Sequence, residues 1–328
     1  MKPRLAIVRL AACACLACEP ACFVRPPVLG RGPQRAARAP EDLPDPGAFA
    51  AVRVAPRALG AGPLADAAAR WFEASPEEAA RGGPPSWFRG LGGADRVVVV
   101  QHGSEDEPQT TIAVRGGDGE AQVLAERLAA EARRRGVPIE ERACGDVRLF
   151  VAGAQAAGAF GADLFLAGPA DRAERACARA AGIAGEGWSA DPEVATLLPW
   201  IGEAAQLAYV GRVPAPLRPR LQHWGLDPLV DRIVGAAAAI DETTTRVRLV
   251  AAMDDETQAA ALAASATEGV ERAAERRSFR AAGLSPLIRR LAPRNEGRFF
   301  LLEGDLPTPV VAGVIATLRT IEEAAGGP

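Results

Sequence analysis

The amino-acid sequence predicts an α+β protein of two similar halves, each an antiparallel-rich sheet covered by amphipathic helices. Three observations predict it. Short β-branched runs alternate with alanine-rich stretches of helical period. A pattern of letters beginning at Asp95 returns at Asp231. The chain has 328 residues and is 48% apolar, enough to bury a sizeable core.

Residues 1–17 read as a leader. Lys2, Arg4 and Arg9 form a basic region, an apolar run follows from Leu10 to Ala17, and small residues precede a cysteine. Cys13, Cys15, Cys18 and Cys22 crowd this stretch with no structured frame around them, which argues against a metal cluster. The order resembles the lipobox of bacterial lipoproteins, in which the cysteine receives diacylglycerol. "LAAC", ending at Cys13, matches by residue type. "CLAC", ending at Cys18, leaves a leader of more normal length. The resemblance implies a lipidated Cys18, with Cys13 as the alternative. Residues 18–47 follow, with seven prolines between 19 and 47 and little apolar periodicity, and read as a solvated tether.

The first half is expected over 48–184 and the second over 185–328. A strand near Phe49 to Val54 precedes the first unit, and "PLADAAARWFEA" at 63–74 reads as an amphipathic helix. Then come "DRVVVV", a polar turn and "TTIAVRG", whose Ile112 and Val114 alternate with polar positions as a half-buried strand requires. The next helix has a stripe of Ala121, Leu124, Ala125, Leu128 and Ala132. "VRLFVAG" and "ADLFLAG" read as strands, and "PADRAERACARAAG" as a helix.

In the second half "LPWIGEAAQLAYV" at 198–210 reads as the opening helix. "DRIVGA" and "TRVRLVAAM" form the hairpin, and Ala259, Leu262, Ala263, Ala266 and Val270 the helical stripe. "GRFFLLEG" is a strand, and a closing helix has the stripe Val311, Val314, Ile315, Leu318 and Ile321. Asp118, Glu120 and Gln122 spell D-x-E-x-Q, as do Asp254, Glu256 and Gln258, at the same offset of 136 that relates Asp95 to Asp231. That constant offset predicts equivalent hairpins and helices.

The layout resembles a loose class of predicted bacterial lipoproteins and secreted proteins with a leader, a Pro-rich tether and a duplicated α+β body. The class defines no active residues, so the resemblance implies none.

Little in the body suggests chemistry. D-x-E-x-Q reads as a helix start, with Asp118 or Asp255 as N-cap, better than as a cation site. His102 and His223 are the only histidines, too few for an ordinary zinc site. His102 lies beside Ser104, Glu105, Asp106 and Glu107, which read as a solvated hairpin turn, not a triad. The only lysine is Lys2, which excludes a P-loop. The five tryptophans, Trp71, Trp87, Trp188, Trp200 and Trp224, read as core packing. Cys144 and Cys177 could pair in an oxidising periplasm or be small buried hydrophobes.

The net charge is −3, and loss of Lys2, Arg4 and Arg9 with the leader makes it −6. Such a surface argues against nucleic acid as a partner. No metal or cofactor is expected. The expectation is a non-enzymatic cell-envelope lipoprotein, anchored to a membrane through lipid and facing periplasm or exterior. It would bind an envelope protein or an apolar ligand. The alternative is a periplasmic enzyme of unrecognised type.

Overall fold

The structure is a computed structural model that describes residues 39–59 and 93–313, apart from 106, 117–119, 146, 183–184, 224, 282 and 312. These fall into two compact units, one of residues 39–58 and 93–192, the other of Leu59 and the residues from 193 onward. The expected boundary at 184/185 is thus moved. Residues 185–192 belong to the first unit, where Trp188 is buried and its N–H donates to Pro44 O at 2.9 Å.

The first unit's sheet is made of β1 (Ala50–Val54), β2 (Arg96–Gly103), β3 (Pro108–Arg115), β4 (Glu140–Cys144), β5 (Val147–Ala152), β6 (Gln155–Phe160) and β7 (Leu164–Pro169). Their order is β1-β2-β3-β7-β6-β5-β4, and all neighbours are antiparallel. β4 and β6 are additions to the expected unit. β4 carries Glu140, Glu141 and Arg142, and β6 is mostly alanine and glycine, so neither shows the β-branched signature of a strand.

Two helices cover opposite faces of this sheet. Helix α1 (Glu120–Arg134) packs Ala121, Leu124, Ala125 and Ala129 on Val97, Val99, Ile112, Val114, Phe165 and Ala167. Helix α2 (Ala170–Ala180) packs Ala173, Ala176 and Cys177 on Ala113, Leu149, Val151, Leu164 and Leu166. The alternation along β7 (Leu164 and Leu166 one way, Phe165 and Ala167 the other) follows from the two-residue period of a strand.

Helix α3 (Pro192–Ile201) belongs to the second unit from its second residue, Glu193, onward. The second unit's sheet is β8 (Leu207–Arg212), β9 (Ile233–Ile240), β10 (Thr244–Ala252), β11 (Ala292–Glu296) and β12 (Phe299–Pro307), in the order β8-β9-β10-β12-β11, again antiparallel. Helix α4 (Glu256–Glu275) packs Ala259, Leu262, Ala263 and Ala266 on Val234, Ala251 and Phe300. The helix expected over 198–210 is therefore two elements. Gly202 takes φ +75°, the left-handed conformation that ends a helix, and residues from Leu207 on become a strand.

The α+β class is as the sequence predicts, with antiparallel sheets and amphipathic helices in both units. The constant offset of 136 is not. Along β2 and β3 the residues facing α1 are Val97, Val99, Ile112 and Val114. Adding 136 to Val99 and Val114 gives Gly235 and Val250, which face away from α4; a Cβ at Gly235 would lie 3.0 Å from Ile201 of α3. The residues that do face α4 are Val234, Leu249 and Ala251. Val97 thus corresponds to Val234 and Val114 to Ala251, an offset of 137, while Leu124 corresponds to Leu262, an offset of 138. A slip of one residue turns a strand over, so the matching letters do not mark equivalent positions. The expected helix at 63–74, Trp71, Trp87, Trp224, Asp118, Cys13, Cys18 and residues 314–321 lie outside the described residues.

Candidate functional site

The densest group of buried ionisable side chains among the described residues lies where residues 39–47 cross the first unit. These residues were expected to belong to the tether. Instead they form a strap. Pro40–Asp42 make one 3-10 turn, Leu43 is fully buried, and Glu41 and Asp45 are buried too. Proline and charge disguise them in the sequence; tertiary contacts decide their structure.

α2 supplies the other half of the site. Arg172, Arg175 and Arg179 recur at helical spacing and form one stripe. The neighbouring stripe of Ala173, Ala176 and Cys177 lies on the sheet, so the arginines are aimed along the sheet surface toward the strap. All three converge on Asp45. Arg172 Nη1 and Arg175 Nε donate to Oδ2, each at 2.9 Å. Arg179 Nη1 meets Oδ1 at 2.7 Å as an ion pair without hydrogen-bond alignment. Arg179 Nε also donates to Leu43 O at 3.0 Å. Arg172 donates to Gln109 Oε1 and Arg175 Nη2 to Asp171 Oδ2.

His102 closes the site from β2. Its Nε2 lies 2.9 Å from Asp45 O and must be the donor, because a carbonyl only accepts. His102 is 2% exposed and lies near the end of β2, just before the turn. Ser104 Oγ accepts from Glu107 N within that turn.

The electrostatics follow from burial and partners. Burial alone would raise the Asp45 carboxyl, but the hydrogen bond from Arg175 and the charges of Arg179 and Arg175 outweigh it and hold the group below its ordinary value. Burial lowers the His102 imidazole, opposed by its bond to Asp45 O and assisted by the charge of Arg172, so the ring is held neutral. Burial also lowers Arg179, against the pull of Asp45.

The strap is stitched at further points. Glu41 Oε1 accepts from Arg96 Nη1 at 3.2 Å and faces Arg53 at 3.8 Å. Ser189 Oγ donates to Asp42 Oδ1 at 2.8 Å, and Gly47 N to Asp191 Oδ2 at 3.1 Å. Gly187 is required here, because a Cβ at that position would lie 2.1 Å from Asp42 O.

Cys144 ends β4 and Cys177 lies on the sheet side of α2. The structure brings their sulfurs to 2.10 Å, with Cα atoms 6.2 Å apart. The remaining sequence candidates are elsewhere. Asp255 caps α4, accepting from Gln258 N at 2.8 Å. Asp254 forms a two-pronged pair with Arg232, at 3.0 and 2.8 Å. Trp200 of α3 packs on Phe299 with ring centroids 4.9 Å apart. Among the described residues no group of three or more His, Cys, Asp or Glu could hold a metal ion, and no helix is long and apolar enough to cross a membrane.

The arginine stripe was visible in "DRAERACAR", but its target was not. A lone aspartate in a proline-rich stretch carries no signal of the helix that will bind it, 127 to 134 positions further on.

No protein-family model matches the chain, and no curated protein matches it. Solved structures similar to it include three of TP0453. Crystal form I has a TM-score of 0.46 at 10% identity, covering 86% of this chain and 98% of that one. Crystal form III has 0.47 at 10%, covering 86% and 100%. Crystal form IV has 0.47 at 11%, covering 85% and 97%.

Proposed function

We propose that this chain is a non-enzymatic cell-envelope lipoprotein, anchored through a diacylated Cys18 and facing periplasm or exterior, whose body binds a protein partner or an apolar ligand. The observation that carries the reading is the Asp45 clamp at the root of the Pro-rich segment. A protein held by a tether needs the point where tether meets body to resist pulling. Three arginines on one carboxylate, a buried leucine and a histidine on the strap carbonyl supply that resistance. The twenty residues between Cys18 and Ala39 would let the body stand up to ~70 Å from the lipid.

Two further points support it. Cys144 and Cys177 stand at bonding distance, which suits an exported protein in an oxidising compartment, where we take them to be a disulfide. The buried ionisable groups of the clamp are engaged with one another and with the strap backbone, so their role is to hold the fold. That favours a binding body over a catalytic one.

The test is mass analysis of the protein from its native membrane, with Cys18→Ala and Cys13→Ala variants. A diacylated N-terminus at residue 18, lost in Cys18→Ala, supports the anchor. A diacylated Cys13 corrects its register, and an intact Met1 in the native host overturns it. Affinity capture from envelope extracts, with mass analysis of retained protein and lipid, tests the binding role. Turnover of a small-molecule substrate by the purified body would overturn the non-enzymatic reading.

A further inference from the structure

Past the end of α4 the chain gathers positive charge. Residues 276–294 hold Arg276, Arg277, Arg280, Arg289, Arg290 and Arg294 and no acidic residue, in a chain of net charge −3. No other acid-free stretch of the sequence holds as many.

Two short helices, α5 (Arg277–Ala281) and α6 (Ser285–Ile288), hold this run against α4. Gly283 takes φ +70° and closes α5, with Leu284 N donating to Phe279 O at 2.8 Å. Pro286 stands in the first turn of α6, where a missing N–H is tolerated. Ser285 Oγ donates to Ala274 O at 2.5 Å and ties α6 to the last turn of α4. Residues 290 and 291 lie over β12, since a Cβ at Gly304 would stand 2.9 Å from both Arg290 O and Leu291 Cδ2. The backbone is thus pinned while the charges stay outside. Arg277, Arg280, Arg289 and Arg290 are all exposed.

Other exposed arginines have acidic neighbours. Arg133 meets Glu141, Arg134 and Arg135 both meet Glu131, and Arg246 meets Asp305. Here Arg289 has only a loose pair with Glu271, at 3.6 Å. Arg290 donates to a backbone carbonyl, Asp305 O, at 3.4 Å. Arg277, Arg280 and Arg290 form no ion pair among the described residues. The arginines of α2 converge on one carboxylate, whereas these are strung over two helices and the residues after them. Beside them Phe279, Leu284, Leu287 and Ile288 are only half-buried.

We propose that this face of the second unit, formed by α5, α6 and Arg289–Arg290, docks on the headgroups of an anionic phospholipid bilayer. Charge and form select that partner. Guanidinium groups pair with phosphate through charge-assisted hydrogen bonds. A bilayer offers many phosphates across one surface, which suits arginines with no common centre. Apolar side chains set beside basic ones are the composition of segments that lie in a membrane interface. The acidic remainder of the chain is repelled by such a surface, so the patch also sets which side faces it. The proposal rests on the anchored reading for its setting, since a lipidated Cys18 would hold the patch within reach of a bilayer.

The experiment uses the mature chain from residue 18 with Cys18 and Cys22 replaced by serine, so that no lipid is attached and the patch alone is read. Failure of the anchor shows separately, in the mass of the native N-terminus. Binding is measured by co-sedimentation with vesicles of phosphatidylglycerol and phosphatidylcholine, and with vesicles of phosphatidylcholine alone. The expected result is binding at least about tenfold tighter to the anionic vesicles and weakened by salt. Arg277→Ala, Arg280→Ala and Arg290→Ala together should weaken it roughly a hundredfold, because each basic residue near an anionic surface contributes about fivefold. Lysine at the same three positions should keep most of the binding, which separates lost charge from a lost fold. Arg133→Ala with Arg134→Ala, in the first unit, should leave it unchanged. Equal binding to the two kinds of vesicle, no binding to either, or binding unaltered in the triple alanine variant would overturn the proposal. Tighter binding to soluble polyglutamate than to the anionic vesicles would also overturn it, in favour of an acidic protein as partner.

Discussion

β2 of the first unit and β10 of the second are both central strands of antiparallel sheets, yet they live in different surroundings. In β2 every residue from Val97 to His102 is buried, on both faces. In β10, Val247, Arg248 and Leu249 are only half-buried, and burial returns at Val250 and Ala251. The cause is what lies above and below. α1 closes one face of the first sheet, and α2 with the strap closes the other. α4 and α3 reach only part of the second. The difference teaches that two antiparallel sheets with amphipathic helices on them need not be equally covered. The strap helps close that face over β2 and β3 by carrying Leu43 into the core and Asp45 to the arginines.

The comparison can be broken most strongly at Asp45. In Asp45→Ala, Arg179 stays buried without its counter-charge, and removing one partner of a buried pair costs about 3–5 kcal/mol. Denaturant unfolding should show that loss in the first unit. Asp255→Ala, at the exposed cap of α4 in the second, should cost only about 1 kcal/mol. A cost below about 1 kcal/mol for Asp45→Ala would mean that the strap is not integral to the first unit.

The sulfur pair comes next. Joining residues 144 and 177 closes a loop of 33 residues, for which chain entropy gives roughly 3–4 kcal/mol. Cys177→Ser should lower stability by about that amount, and reductant should destabilise the native chain but leave the variant unchanged. Smaller still is the contrast between the sheets themselves. Val98→Ala empties a fully buried site and should cost about 2 kcal/mol, whereas Val247→Ala should cost less than about 1 kcal/mol. Equal costs would contradict the different burial of the two strands.

Acid should act on the first unit through His102. Its folded value is depressed below the ordinary 6.5. The unfolded chain therefore takes up the proton first as pH falls, and stability declines from about pH 6.5 downward until the folded value is passed. Asp45 adds a second decline in the same direction, beginning near its unfolded value of 3.8. Thermal melts of His102→Gln should lack the first decline and keep the second.

Much of this architecture was legible in the sequence, because it rests on local period. The two hairpins, α1, α4 and α2 announce themselves through alternation or helical stripes, and Asp255 through its cap chemistry. What was hidden depends on distant partners. Nothing local to Asp45 or Leu43 foretells Arg179. Nothing in "EERAC" marks an edge strand, since charge is what an edge tolerates. The offset of 136 misled for a physical reason. Polar letters at turns and caps are reused freely, whereas the positions that must correspond are apolar, and those follow offsets of 137 and 138.

The central claim is that residues 39–47 belong to the folded body and not to the tether. Trypsin on the mature chain tests it most directly, with mass reading of each cut over time. The account predicts early cleavage after Arg31, Arg35 and Arg38, and then a stable body beginning at Ala39, with Asp42, Gly47 and Phe49 amides slow to exchange. Asp45→Ala should abolish that protection. Exchange at those three amides as fast as in residues 19–38, in the unsubstituted chain, would contradict the account.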